Sequence, residues 1–190
     1  MGLPLRALRT TSERSVALGD FRVGDMFKLP FEDRFDVITS FNGIWNRCEA
    51  ALSEVRRVIV SDGRFGMTFW GGHERLGLMP YFLKVLELSP PAHQSAMMEQ
   101  DGTRQVIGDI VEAAGFKLEQ QGTVEVVNEW PDVETAVRAL AAAGPSVPAI
   151  EAVGYDRFRD EMGGVVAPLF SQHYGVRISS ELGWVTARPT

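Results

Sequence analysis

The sequence holds a single cysteine, Cys48, in 190 residues, so no disulfide can form within the chain. A reducing, cytoplasmic setting is the expectation. Its three histidines, His73, His93 and His173, stand too far apart for metal-ligand spacing, and no zinc site is expected. No apolar run approaches the roughly 20 residues that span a bilayer, so no membrane partner is expected either. Basic residues are the minority, 19 against 25 acidic ones, for a net charge of −6. Phosphate contacts need clustered Lys and Arg, which argues against nucleic acid as a partner. Arg6, Arg9 and Arg14 near the start lack the continuous apolar centre and the cleavage site of a targeting segment. Internal repeats and low-complexity linkers are also missing, and the length fits one domain with a substantial core.

What is present is a regular alternation. Residues 1–18 can form an amino-terminal helix, with Leu5, Leu8 and Val16 sharing part of one face. Phe21-Arg22-Val23 reads as a short strand, followed by a loop from Gly24 to Asp33. Phe35 to Phe41 is a second strand with a buried-type run of Val37, Ile38 and Phe41. Cys48 to Val60 has helical spacing of Ala51, Leu52, Val55, Val58 and Ile59. Arg56 and Arg57 near its end complement the helix dipole. Ser61-Asp62-Gly63 is the turn that ends it, and Arg64 to Trp70 is the next strand.

Further on, Leu76 to Leu88 reads as helix, stopped by Ser89-Pro90-Pro91. Gln105 to Ala114 is an amphipathic helix closed by Gly115. Phe116 to Val127 is a strand with a break at Gly122, and Val133 to Ala143 is a helix with an acidic start at Asp132 and Glu134. Tyr155 to Phe170 is a helix interrupted at Gly163-Gly164, and Val176 to Ala187 is the last strand. Strand–helix–strand order with glycine-marked turns predicts an α/β fold with helices covering a largely parallel sheet. Ligands of such sheets sit beyond the carboxyl ends of the strands. Gly24-Asp25-Met26, Phe41-Asn42 and Trp70-Gly71 should therefore converge on one rim.

Four phrases then carry a resemblance. They are Leu29-Pro30-Phe31 leading into Phe35-Asp36-Val37, the helix Glu49 to Val58, the glycine of Ser61-Asp62-Gly63, and Glu112-Ala113-Ala114-Gly115-Phe116. In this order and spacing the chain resembles the class I S-adenosylmethionine-dependent methyltransferases over about residues 19–189. The resemblance implies a Rossmann-like sheet with helices on both faces, strand order 3-2-1-4-5-7-6, and an antiparallel closing strand. It covers the third strand onward. The family's glycine-rich turn and its ribose-binding acidic residue belong to the first two strands, which have no counterpart here, so the sheet is expected to lack them. The expected division is an amino-terminal helix (1–18), a cofactor-side core (19–72), a helical acceptor cover with one core strand (73–170) and a closing strand (171–190).

The resemblance further implies S-adenosylmethionine as cofactor and a small-molecule methyl acceptor as substrate. Asp25 would accept from the adenine amino group, with Gly24 beside the ring and the Met26 backbone at the ring edge, its side chain packing on the ring face. Phe41 and Asn42 would lie near the methionine portion and the methyl group. Trp45, Trp70 and His73 would line the acceptor pocket, with His73 a candidate base. Plainer roles stand beside each of these. Asp25 suits any turn after a strand, and Asn42-Gly43 favours a tight turn on backbone grounds. Trp45 and Trp70 suit packing, and His73 suits an exposed loop. Gly71-Gly72 lacks the Lys and Ser or Thr of a phosphate loop, and Met97-Met98 reads as gap-filling apolar surface. With its neighbours missing, the strand Phe35 to Phe41 is expected to pair with another copy or with a partner chain that supplies the absent strands. The alternative to an enzyme is a non-catalytic module of the same fold.

Overall fold

The computed structural model describes residues 22–32, 34–44, 49–93 and 104–190. The expected helix over 1–18, and Trp45, Cys48 and Met97-Met98, lie outside them. The elements in chain order are β1 (Phe35–Phe41), α1 (Glu49–Val58), β2 (Ile59–Trp70), α2 (Met79–Leu88), α3 (Arg104–Ala113) and β3 (Phe116–Trp130). There follow α4 (Val133–Ala141), α5 (Val147–Val153), α6 (Tyr155–Val166), the two-residue β4 (Phe170–Ser171) and β5 (Gly175–Pro189). The sheet runs β1-β2-β5-β3, with β4 attached to β5. β1 and β2 are parallel, whereas β5 runs antiparallel to both β2 and β3.

Two apolar cores form, one on each face. α1 lays Leu52 and Val55, and α3 lays Ile107 and Val111, against Phe65, Met67 and Phe69 of β2 and Val185 and Ala187 of β5. Phe65 and Phe116, both fully buried, meet there with ring centroids 5.5 Å apart. Burying each such side chain is worth about 1.5–3 kcal/mol. The second core joins Tyr81 and Val85 of α2, Val137 and Leu140 of α4, and Phe158 and Met162 of α6 to Val176 and Ile178 of β5. Successive strand residues point to opposite faces. The even-numbered Val176 and Ile178 therefore serve one face of β5 and the odd-numbered Val185 and Ala187 the other. Helices cover both faces, as expected, but towards opposite ends of β5.

Local differences from the sequence reading have physical causes. Arg22 and Val23 are not in a strand; among the described residues the one bridge near them is Asp25↔Lys28. A strand exists through its ladder, and no strand ladder includes Arg22 or Val23 among the described residues. The helix at Glu49 stops at Val58 because Ile59 already pairs with Phe35. The register then jumps to Val37↔Arg64, so Ser61-Asp62-Gly63 bulges within β2 instead of forming a free turn. β3 runs unbroken through Gly122, and its irregularity falls between Leu118 and Gln120. Gly122 is the seat of the Trp184 indole, 2.8 Å from where a Cβ would stand. Gly163-Gly164 leave α6 uninterrupted, and the helix ends at Val166, before the Pro168 turn. The helix Val147–Val153, with Pro148 in its first turn, was not foreseen.

Candidate functional site

β1 and β2 end together. Phe41 pairs with Thr68, and the Asn42 amide donates to the Thr68 carbonyl at 3.0 Å and reaches its hydroxyl at 3.2 Å. Asn42 sits at φ 51°, a left-handed conformation that Asn tolerates better than most residues. Its side-chain oxygen is buried and has no hydrogen-bond partner among the described residues. A buried acceptor left unsatisfied costs about 1–3 kcal/mol, so this is a place where a donor is wanted. Phe41, immediately before it, is 77 % exposed. Phe41 and Asn42 are thus brought together at the carboxyl end of the strand pair.

Trp70, at the end of β2, turns towards the helical layer. It meets Phe82 edge-on at 5.8 Å and packs against the second core, so packing occupies much of its surface. His73 opens a short 3-10 turn, His73–Arg75, and is exposed. That turn is tied to β5 by Arg75 to Glu181 at 2.8 Å. Trp45 lies outside the described residues. No group of three potential metal ligands occurs among the described residues.

Asp25 is exposed and accepts from the Phe27 amide at 2.9 Å, while Lys28 closes back on the Asp25 carbonyl at 3.1 Å. This is the side-chain turn that Asp favours on local hydrogen-bonding grounds. Met26 packs against the first core, the one that contains Ile44, and so turns its side chain inward. Gly24 rests against the Pro30 ring.

The sequence reading missed what holds this loop. Glu54 of α1 accepts from the Leu29 amide at 2.8 Å, and Arg57, one turn on, grips Glu54 with two donors at 2.9 and 2.8 Å. Arg57 also donates to the carbonyls of Phe31 at 2.9 Å and Leu29 at 3.1 Å. The bonds from Arg57 and from Leu29 hold the Glu54 carboxyl at about 2 against an ordinary 4.5. A carboxylate depressed in this way supports the fold above about pH 4.5, and the support is lost as pH falls towards 2. The Leu29 amide should therefore keep its hydrogen-exchange protection at pH 5 and lose it stepwise between those values. Loss of protection already at pH 5 would contradict the clamp. The signal for this pair was the Glu54-x-x-Arg57 spacing, which sets both side chains on one face of α1.

The strand order decides the fold. β1-β2-β5-β3 is the 4-5-7-6 half of the order expected above, with its penultimate strand reversed. This is a class I S-adenosylmethionine-dependent methyltransferase fold. A family model described as a methyltransferase domain matches residues 4–67. Among solved structures the methyltransferase fold recurs in a Bacillus halodurans protein assigned as a methyltransferase, at TM-score 0.59 and 15 % identity. That alignment covers 98 % of this chain and 79 % of the other. The YcgJ protein of Bacillus subtilis aligns at TM-score 0.55 and 17 % identity, over 97 % of this chain and 77 % of that one. The [4+2]-cyclase SpnF aligns at 0.56 and 17 %, over 96 % and 61 %. At such identities the likeness is one of fold. No curated protein matches the sequence. The family's glycine-rich turn has no counterpart in this sequence.

Proposed function

We propose that this chain carries the adenine-side and acceptor-side parts of an S-adenosylmethionine-dependent methyltransferase acting on a small molecule. The observation that carries the reading is the strand-end rim of a 4-5-7-6 sheet, where Asn42 offers a buried acceptor with no partner among the described residues. Bound S-adenosylmethionine supplies an already activated methyl group, so this chain's residues need only bind, orient and exclude water. Asp25 would accept from the adenine amino group, with the Gly24 and Met26 backbone at the ring edge. Phe41 and Asn42 would face the methionine and methyl end. The acceptor would lie under the helical layer that α2, α4, α5 and α6 build, near Trp70, Trp45 and His73, and His73 could take a proton from an acceptor hydroxyl.

A second reading is favoured by one observation. Among the described residues nothing pairs with the outer edge of β1. A module of this fold that binds another polypeptide along that edge, catalytic only in the assembly or not at all, fits that edge. The same fold also occurs in the [4+2]-cyclase SpnF, and a fold does not fix a reaction.

Adenosine titration followed by amide shifts separates the readings. We expect millimolar adenosine to move the Asp25 and Phe27 amides, and the intact cofactor to gain little over it without the glycine-rich turn. Asp25→Ala should abolish the preference for adenosine over inosine while leaving the other amide shifts in place. Equal responses to both nucleosides in the unsubstituted protein would end the adenine assignment.

A further inference from the structure

Resting on that reading, we infer that Glu54 and Arg57 are positioning residues. They fix the Asp25–Phe31 loop to α1 and so set where the adenine-facing turn stands. The loop needs such a device because it has no ladder of its own. Pro30 carries no amide hydrogen, and among the described residues the only bridge in the segment is Asp25↔Lys28. The amide and carbonyl of Leu29 and the carbonyl of Phe31 must therefore find partners elsewhere. One helical turn of α1 supplies all three. The Glu54 carboxylate takes the Leu29 amide, and the Arg57 fork takes the two carbonyls that flank Pro30.

The arrangement uses nearly the whole guanidinium. Its two donors to Glu54 lock the pair, and the donors to Leu29 and Phe31 point at fixed carbonyl directions. A lysine ammonium is a single point with no planar fork and cannot reach the carboxylate and both carbonyls at once. The ring of Phe31 adds an anchor of its own. It stands edge-on to Phe35, the first residue of β1, at 5.2 Å, and the Arg22 guanidinium lies 5.5 Å above it. The stretch from Leu29 to Phe31 is thus pinned to α1 and β1. The Asp25–Lys28 turn projects from this pinned base, held by bonds within itself and by Met26 against the core. Position is imposed from below, through residues that lie away from the proposed ligand.

The test compares the full chain with its Arg57→Ala, Arg57→Lys and Glu54→Gln variants by amide hydrogen exchange and adenosine titration. In Arg57→Ala, exchange at Leu29 should rise at least tenfold while the α1 amides of Leu52 and Val55 keep their protection. Arg57→Lys should restore little of it, because the fork is what is missing. Glu54→Gln should fall between, since one amide oxygen can still accept from Leu29. The adenosine-induced shifts at Asp25 and Phe27 should weaken in step with Leu29 exchange. Unchanged Leu29 exchange in Arg57→Ala would overturn the inference. So would freed exchange with adenosine shifts fully retained, which would make the pair a brace and leave the functional reading intact. Absence of any adenosine response in the unsubstituted protein would instead overturn both.

Discussion

Gly77→Ala should be among the most damaging single-methyl additions to this protein, lowering stability by about 3 kcal/mol. Gly77 follows Leu76, which bridges to Ser180 of β5, and it passes so close to that strand that a Cβ would overlap the Ser179 carbonyl oxygen. The obstacle is backbone, held by the continuous pairing of β5 with β3, and cannot rotate aside as a side chain would. Relief requires the crossing to lift. That strains the Leu76–Ser180 bridge and the Arg75–Glu181 ion pair, and it moves Leu76 and Leu78, both buried in the second core. At this chain length the loss corresponds to a fall of roughly 6–12 °C in melting midpoint. Gly163→Ala is the matched control, because a Cβ there meets nothing within 4 Å and the residue lies inside α6. It should leave stability unchanged or raise it by up to about 1 kcal/mol. Calorimetry on the two variants decides the matter, and equal midpoints would mean that the crossing is loose.

A comparably large effect is expected on association. β1 pairs with β2 on one side alone among the described residues. It presents Val37 at 63 % exposure and Phe41 at 77 %, carries no proline, and has Asp36 as its one charge. A strand of that kind is a template for further pairing. The chain should therefore sediment as an oligomer that dissociates on dilution, or require a partner strand for good behaviour. Lysine on such an edge disfavours pairing, so Val37→Lys with Phe41→Lys should weaken association about tenfold or more. Neither residue lies in a buried core, so the variant should stay folded. Sedimentation velocity over a range of concentrations reads this directly. A monomer at every concentration, with one cooperative thermal transition, would mean that the edge of β1 is closed from within the chain.

Much of the architecture was legible because it depends on local signals. Leu29-Pro30-Phe31, the apolar run at Val37 and Ile38, the helical spacing from Ala51 to Val58 and the turn at Gly115 each mark an element without reference to distant residues. Their order was enough for the fold. What stayed hidden depends on contacts between distant segments. Arg22 and Val23 have strand-like residues, yet they join no strand ladder among the described residues. Gly122 suggested a break because glycine weakens strands, whereas its real role, a seat for Trp184, needs the register of β3 on β5. Arg57 seemed to serve the helix dipole, and its grip on Leu29 and Phe31 could not be seen without knowing that the loop folds back along α1. At the rim, Asn42 was named from its place after β1, but its unpartnered oxygen is a property of the packed structure. Tyr81, whose phenol burial raises above its ordinary value, bonds the fully buried Ser146 at 2.8 Å within the helical layer, and no sequence pattern announced it.

The pairing of Trp130 with Val176 has an evolutionary consequence. The segment from Pro131 to Tyr174 leaves the end of β3 and returns to the facing start of β5, with only the two-residue β4 laid back on β5, so its two ends almost touch. A stretch tethered in that way can be lengthened, shortened or exchanged without redrawing the strands below, much as domains tolerate insertion where chain ends lie close. It packs on α2 through contacts such as Lys84 with Glu161, and these set how foreign a replacement can be. On the proposed reading, new acceptors would be acquired by rewriting this cassette, while β1, β2 and the loop clamped by Arg57 are inherited unchanged.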